Sequence, residues 1–313
     1  MADAVLLAGV TKRFGSFVAV DGFDLSLARG EVLGFLGPNG AGKTTTIRML
    51  MNITRPDSGT LRVLGSEDAA AVKDRIGYLP EERGLYRKLS VHATLRYFGG
   101  LKGLGGSDLE RRIDEGLATI GLSDWKAKKV EALSKGMTQK LQFLTTILND
   151  PELVILDEPF SGLDPLNAEL LQRLMSRLRE RGTTVIFSTH QMETAERLCD
   201  RIVLINRGKK VLDGRLDEIR NQFATRFVLL DGSGEFEGWR SWPGVLDGHV
   251  TGSHARLELH PQADPQAVLQ AAAQRLRLTR FEVQTANLHD IFVRLVGGMP
   301  ADPRQAANGG GAD

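Results

Sequence analysis

Residues 37–44 read Gly37, Pro38, Asn39, Gly40, Ala41, Gly42, Lys43 and Thr44, the Gly-x4-Gly-Lys-Ser/Thr spacing of a loop that cradles phosphate. Glycines let backbone N–H groups converge on phosphate oxygens, and a helix expected from Thr45 to Met51 adds the partial positive charge of its N-terminus. Lys43 then reaches the outer phosphates, and the Thr44 hydroxyl can ligate Mg²⁺. A second stretch, Leu153 to Glu158, is a buried-type strand ending in two adjacent carboxylates. At the C-terminal end of such a strand both can reach one crevice. Asp157 suits Mg²⁺, and Glu158 suits a general base that takes a proton from attacking water. Taken alone, an Asp-Glu pair is more often a helix cap or a solvated turn; with the phosphate loop it reads as a nucleotide hydrolase. His190 follows the apolar run Val185 to Phe187 and should arrive at the same sheet edge, within hydrogen-bond reach of a γ-phosphate.

A third candidate is the helix opening at Leu133-Ser-Lys-Gly-Met137, with Ser134 placed as N-cap and first-turn amides facing outward. Such an end can hold an anion, yet it lies far from Lys43 along the chain. A two-fold dimer solves this if each subunit offers its helix end to the nucleotide held by the other. His92, His249, His254, His260 and His289 lack comparable neighbours and are read as surface or core residues with no role.

The elements that must position these residues alternate strand and helix from Val5 to about Leu216, the pattern of an α/β domain with a largely parallel sheet. Glu31–Leu36, Leu153–Leu156, Thr183–Phe187 and Arg201–Ile205 are near-continuous apolar runs, as expected of strands covered on both faces. Between 84 and 150 the periodicity becomes helical, over Val91–Phe98, Asp108–Ile120 and Lys135–Leu148. Past Gly214 the pattern shifts to half-exposed strands, Arg226–Leu230 and Ala255–Leu259, with helices from Pro265 to about Leu276 and from Leu288 to Leu295. A separate ββαβα unit is expected there. Residues 298–313, rich in Gly, Ala, Pro and Asp, are expected to be a disordered tail.

Composition narrows the alternatives. With 40 Lys and Arg against 39 Asp and Glu, the net charge of +1 gives no field to draw nucleic acid or anionic lipid. The 42% apolar content over 313 residues supports two cores. A single cysteine, Cys199, excludes an intrachain disulfide, fits a reducing compartment and reads as a packed thiol on a helix beside Leu198. No run free of Asp, Glu, Lys and Arg exceeds 11 residues, too short for a membrane-spanning helix. No secretory signal is readable at the N-terminus.

The ordered set of phosphate loop, Leu133–Met137 helix, Asp157-Glu158 strand, Ser161-Gly-Leu-Asp164 and His190 resembles the nucleotide-binding domain of an ATP-binding cassette (ABC) transporter over residues 5–218. The resemblance implies an α/β P-loop ATPase domain with a helical subdomain (1–218), followed by a small α+β accessory domain (219–297). It implies ATP and Mg²⁺ as cofactors, with ATP held by Gly37, Pro38, Asn39, Gly40, Ala41, Gly42, Lys43, Thr44 and Thr45. Phe14 matches the aromatic that stacks on adenine, Ser134 and Gly136 the contacts to the partner subunit's nucleotide, and Asp164 the loop coupling the two sites. Lys43, Glu158 and His190 take the catalytic roles, and Thr44, Asp157 and Glu81 the metal.

Three positions depart from the family pattern. Glu81 stands where a Gln is usual; it can ligate Mg²⁺ but cannot donate a hydrogen bond. Lys135 and Met137 replace a Gly and a Gln, and the Lys135 charge either favours phosphate or points to solvent. Slower or differently coupled turnover with an intact fold is expected. The Pro80–Tyr86 wording and the C-terminal unit resemble the sodium- and drug-exporting branch, whose cassettes pair with separate ABC-2 type membrane permeases from the cytoplasmic side. The C-terminal unit reads as a dimer-stabilising or regulatory addition. The apolar residues Leu85, Tyr86, Leu89, Val91 and Leu95 are shared between core and a surface for the permease. A soluble ABC ATPase acting on ribosome or DNA would carry two cassettes or long coiled coils, neither of which is present. An importer cassette usually has a longer β-rich C-terminal domain, and in a nucleotide kinase the signature helix and His190 would be idle.

Overall fold

The computed structural model describes residues 3–82, 84–223 and 225–296; the segment expected to be a disordered tail lies outside them. The chain forms two compact units that divide after Gly214.

The first unit opens on an antiparallel layer that the sequence reading did not anticipate. β1 (Asp3–Phe14) and β2 (Phe17–Ala28) form a hairpin, and β1 also pairs antiparallel with β4 (Ser58–Val63). Alternation along β2 puts Val20, Phe23, Leu25 and Leu27 inside. β3 (Val32–Leu36), by contrast, is buried at every position, as a strand covered on both faces must be. It lies in a six-stranded sheet of order β5-β6-β7-β3-β8-β9, built with β5 (Ile76–Leu79), β6 (Leu153–Leu156), β7 (Thr184–Thr189), β8 (Arg201–Asn206) and β9 (Lys209–Arg215). The β5/β6, β6/β7, β3/β7 and β3/β8 pairs are parallel. A shared core of Leu7, Phe23, Phe35, Ile47, Ile155, Ile186 and Val203 closes the space between the two sheets.

β3 runs into α1 (Lys43–Leu50), which begins two residues before the expected Thr45 and so takes Lys43 and Thr44 into its first turn. A helical insert follows β5: α2 (Val91–Leu101), α3 (Gly106–Thr119) and α4 (Lys135–Ile147) pack through Leu95, Ile113, Leu117, Leu141 and Phe143. Val91 and Leu95 are therefore core, whereas Tyr86 stays exposed. α5 (Pro165–Glu180) carries Asp164 as N-cap, and α6 (Met192–Leu198) follows β7. Cys199 is buried just past the end of α6, not on it, with its Sγ against Gly34 of β3.

The second unit holds α7 (Leu216–Gln222) and a four-stranded antiparallel sheet of order β11-β12-β10-β13. Its strands are β10 (Arg226–Gly234), β11 (Val245–Thr251), β12 (His254–Leu259) and β13 (Leu276–Thr285), with α8 (Pro265–Ala273) and α9 (Leu288–Val296). The expected ββαβα order thus lacked one strand. β11 escaped notice because Asp247, Gly248 and His249 break its apolar alternation; its place is settled by pairing with β12. The expected helix to Leu276 ends at Ala273, and Leu276 opens β13 instead. Trp239, Trp242, Leu257, Val268 and Ala272 form the core of this unit.

Candidate functional site

The phosphate loop leaves β3 at Leu36 and enters α1 without a side-chain cap, so the amides at the helix start stay available to an anion. Its shape demands glycine at two places. A Cβ on Gly37 would lie 2.2 Å from the Ile205 carbonyl oxygen, and one on Gly42, at φ 112°, 2.5 Å from the Ala19 oxygen. Gly208 N–H, donating to the Ala41 oxygen at 2.8 Å, pins the middle of the loop. Gly37 and Ala41 are buried; Pro38, Asn39 and Gly40 are exposed, and Thr44 and Thr45 are half-buried. The Lys43 ammonium is itself buried, donating to the Gly37 and Pro38 oxygens at 2.7 and 3.3 Å.

β7 lies between β3 and β6 in the sheet, and the loop and the two carboxylates meet across its end. Lys43 Nζ lies 3.4 Å from Glu158 Oε1. Thr44 Oγ1 donates to Asp157 Oδ1 at 3.3 Å, and His190 Nδ1 lies 3.1 Å from Glu158 Oε2. Glu158 has φ 47°, a left-handed backbone that a non-glycine residue adopts at a cost and that gathers at functional sites. Two buried oxygens have no hydrogen-bond partner, Asp157 Oδ2 and Glu158 Oε1. Unpaired buried carboxylate oxygens are expensive, and hard oxygen donors beside a threonine hydroxyl are what Mg²⁺ accepts; the residues present fit that ion. Tyr78, on the adjoining strand, has its phenol pushed up to about 12, by burial first and then by the Asp157 charge.

The expected signature residues gather in a second group. Ser134 caps α4, its Oγ accepting from Met137 N–H at 3.2 Å. Gly136 stands where a Cβ would come within 2.5 Å of the Asn167 amide nitrogen. Asp164 caps α5 by accepting from Asn167 N–H at 3.0 Å, and this bond lowers its carboxyl below the usual range. Gln139 donates to the Ser161 oxygen at 3.1 Å. Lys135 lies against this turn: its Nζ is 3.0 Å from where a Cβ on Gly162 would sit. Phe14 ends β1, 54% exposed, with Lys12 Nζ 5.5 Å from its ring centroid. Glu81 is exposed, two residues past the end of β5, outside the hydrogen bonds of the Thr44–Asp157 group. On the helical insert, Tyr86, Tyr97 and Phe98 form one aromatic cluster with centroids 5.4–6.5 Å apart, and both tyrosines are exposed.

Comparison with known proteins agrees with this geometry. Residues 20–161 match the family model of the ABC transporter, and residues 214–296 match that of the C-terminal domain of DrrA1-3-like ATP-binding proteins. An uncharacterized ABC transporter ATP-binding protein, YhaQ of Bacillus subtilis (strain 168), is 38% identical over 93% of this chain and 97% of its own. The chain belongs to the ATP-binding proteins of ABC transporters. A Nod factor export ATP-binding protein I of Ralstonia nicotianae is 35% identical over 92% of both chains. A solved ATP-binding subunit of an ABC transporter superposes with a TM-score of 0.66 at 31% identity, covering 70% of this chain and 93% of that one. The family binds and hydrolyses ATP, and this ABC chain is an ATPase. Among its described residues no helix is long and apolar enough to cross a membrane.

Two features of this ABC site escaped the sequence reading. Ser188, fully buried on β7, donates to Asp157 Oδ1 at 2.5 Å and accepts from Glu158 N–H at 2.9 Å. Its one sequence signal, a small polar residue in the apolar run before His190, is too common to select. The other is Lys135, whose charge the sequence assigns to either phosphate or solvent and which in the folded subunit lies along its own Gly162 turn.

Proposed function

We propose that this chain is the ATP-driven motor subunit of an export system, acting as a pair of copies that close over two molecules of MgATP. The observation that carries the reading is the group Lys43, Asp157, Glu158 and His190, in which Glu158 is held by Lys43 and His190 while Asp157 Oδ2 is buried without a partner. Lys43 and the α1 amides bind the β- and γ-phosphates. Thr44 Oγ1 and Asp157 Oδ2 would hold Mg²⁺, joined by Glu81, and the ion supplies neutralisation of the phosphate charge. Glu158 accepts the proton of the attacking water. His190, touching Glu158 Oε2, orients that carboxylate and reaches the γ-phosphate. This division of labour needs positioning and charge, which is what phosphoryl transfer asks of a protein.

Closure is supported by the second group. The capped start of α4, with Ser134 and Gly136, offers first-turn amides, and completes the site of the opposite copy, while Asp164 links the two sites and Phe14 stacks on adenine. The likeness to a Nod factor export protein and to DrrA1-3-like C-terminal domains favours an exporter served by a separate ABC-2 type permease. The exposed Tyr86–Tyr97–Phe98 cluster suits docking to that permease, which would hold this subunit at the cytoplasmic face of the membrane. The test is the mass of Glu158→Gln with saturating MgATP, measured by light scattering alone and beside the co-purified permease. A dimer is expected; a strict monomer under both conditions overturns the reading.

A further inference from the structure

β6 and β7 stay paired through Leu156 and Phe187, and beyond that point a side chain takes over from the backbone ladder. The Ser188 hydroxyl accepts the Glu158 N–H and gives its own proton to Asp157 Oδ1. One hydroxyl can do both at once, and with Ser188 wholly buried no water competes. It stands on β7, between the phosphate-loop strand and the carboxylate strand.

Two consequences follow for the carboxylates. Asp157 Oδ1 is engaged by Ser188 and Thr44 together, so Oδ2 is the oxygen left free. Rotating that carboxylate away would strand a buried hydroxyl proton. Glu158 departs from the sheet at φ 47°, and the bond from its N–H to Ser188 holds that turn, which aims the side chain at Lys43 and His190.

We propose that Ser188 is a positioning residue that sets the metal-facing oxygen of Asp157 and the orientation of Glu158 with a single hydroxyl. The proposal rests on the Mg²⁺ assignment above, so its test separates the two. Calorimetry on the full chain measures affinity for a non-hydrolysable ATP analogue in EDTA and then in saturating Mg²⁺. Ser188→Ala is expected to match the parent in EDTA but to lose about 10-fold of the Mg²⁺-dependent gain, as outer-sphere substitutions do. Its kcat should fall about 100-fold, the cost of a misplaced catalytic group, with KM for MgATP rising by no more than the same roughly 10-fold. Ser188→Cys, nearly isosteric and a weaker donor, should fall between, and carries the same two readouts if the alanine variant does not fold. A variant with a lowered melting temperature but the parent's Mg²⁺ gain and kcat would make Ser188 merely structural and overturn the proposal. A parent whose affinity ignores Mg²⁺ would refute the metal assignment, and the proposal with it.

Discussion

The two ends of strand β6 face opposite demands, with four apolar residues between them. At its start, Glu152 is saturated: Arg75 binds it through two nitrogens at 2.5 and 2.8 Å and Arg29 through a third at 2.7 Å. The Glu152 N–H and C=O join Arg75 and Thr184 of the flanking segments. The Arg75 guanidinium first, and then Arg29, bring its carboxyl down to about 2. At its other end, Asp157 and Glu158 are more deeply buried, yet Asp157 Oδ2 has no partner and Glu158 Oε1 has no hydrogen bond, only the Lys43 ammonium at 3.4 Å. Satisfied charge at one end ties strands together; at the other, a buried carboxylate oxygen left without a partner marks a place that a bound ion would complete.

The largest effect should come from the open end. Glu158→Gln is expected to lower ATP turnover by about 1,000-fold, the scale of losing a general base, while nucleotide binding persists. Hydrolysis at the parent's rate, read by phosphate release, would remove Glu158 from that role. Next, Lys43→Ala should weaken ATP binding by about 10- to 100-fold, since a charge-assisted contact to phosphate is lost. Undiminished affinity in calorimetry would place the phosphates elsewhere. Phe14→Ala should cost about 1 kcal/mol, near fivefold in affinity, for one stacking contact; an unchanged dissociation constant would move the adenine off this ring.

The saturated end should respond least, and in stability alone. Glu152→Gln is expected to cost about 0.5–1 kcal/mol, because solvent screens a partly exposed cluster, with ATP turnover per folded molecule unchanged. The folded carboxyl titrates below its unfolded value, so its contribution is complete above pH about 4.5 and fades as pH falls toward about 2. Melting curves of parent and variant should therefore differ at neutral pH and converge in acid. A difference that grows on acidification would contradict the assignment.

The open end was legible because its chemistry is compressed into short, ordered strings. Spacing alone marked Gly37–Thr44, and adjacency marked Asp157 and Glu158. Ser188 was not legible, since its meaning lies in two hydrogen bonds across a strand boundary. The Glu152 cluster joins residues 29, 75 and 152, and no periodicity announces partners so distant in the chain. β4 and β11 were not legible for a related reason: pairing, not local propensity, makes a strand of a polar segment.

By itself the sequence determined the phosphate loop, the buried parallel strands, the helical insert and the presence of a second unit, because glycine spacing, apolar runs and caps act over a few residues. Only the tertiary structure decided which strand ends meet, that Lys135 lies along its own Gly162 turn, and that Asp157 Oδ2 stays unpaired. Those outcomes depend on close packing between segments far apart in the chain, where a single hydroxyl or methylene is felt.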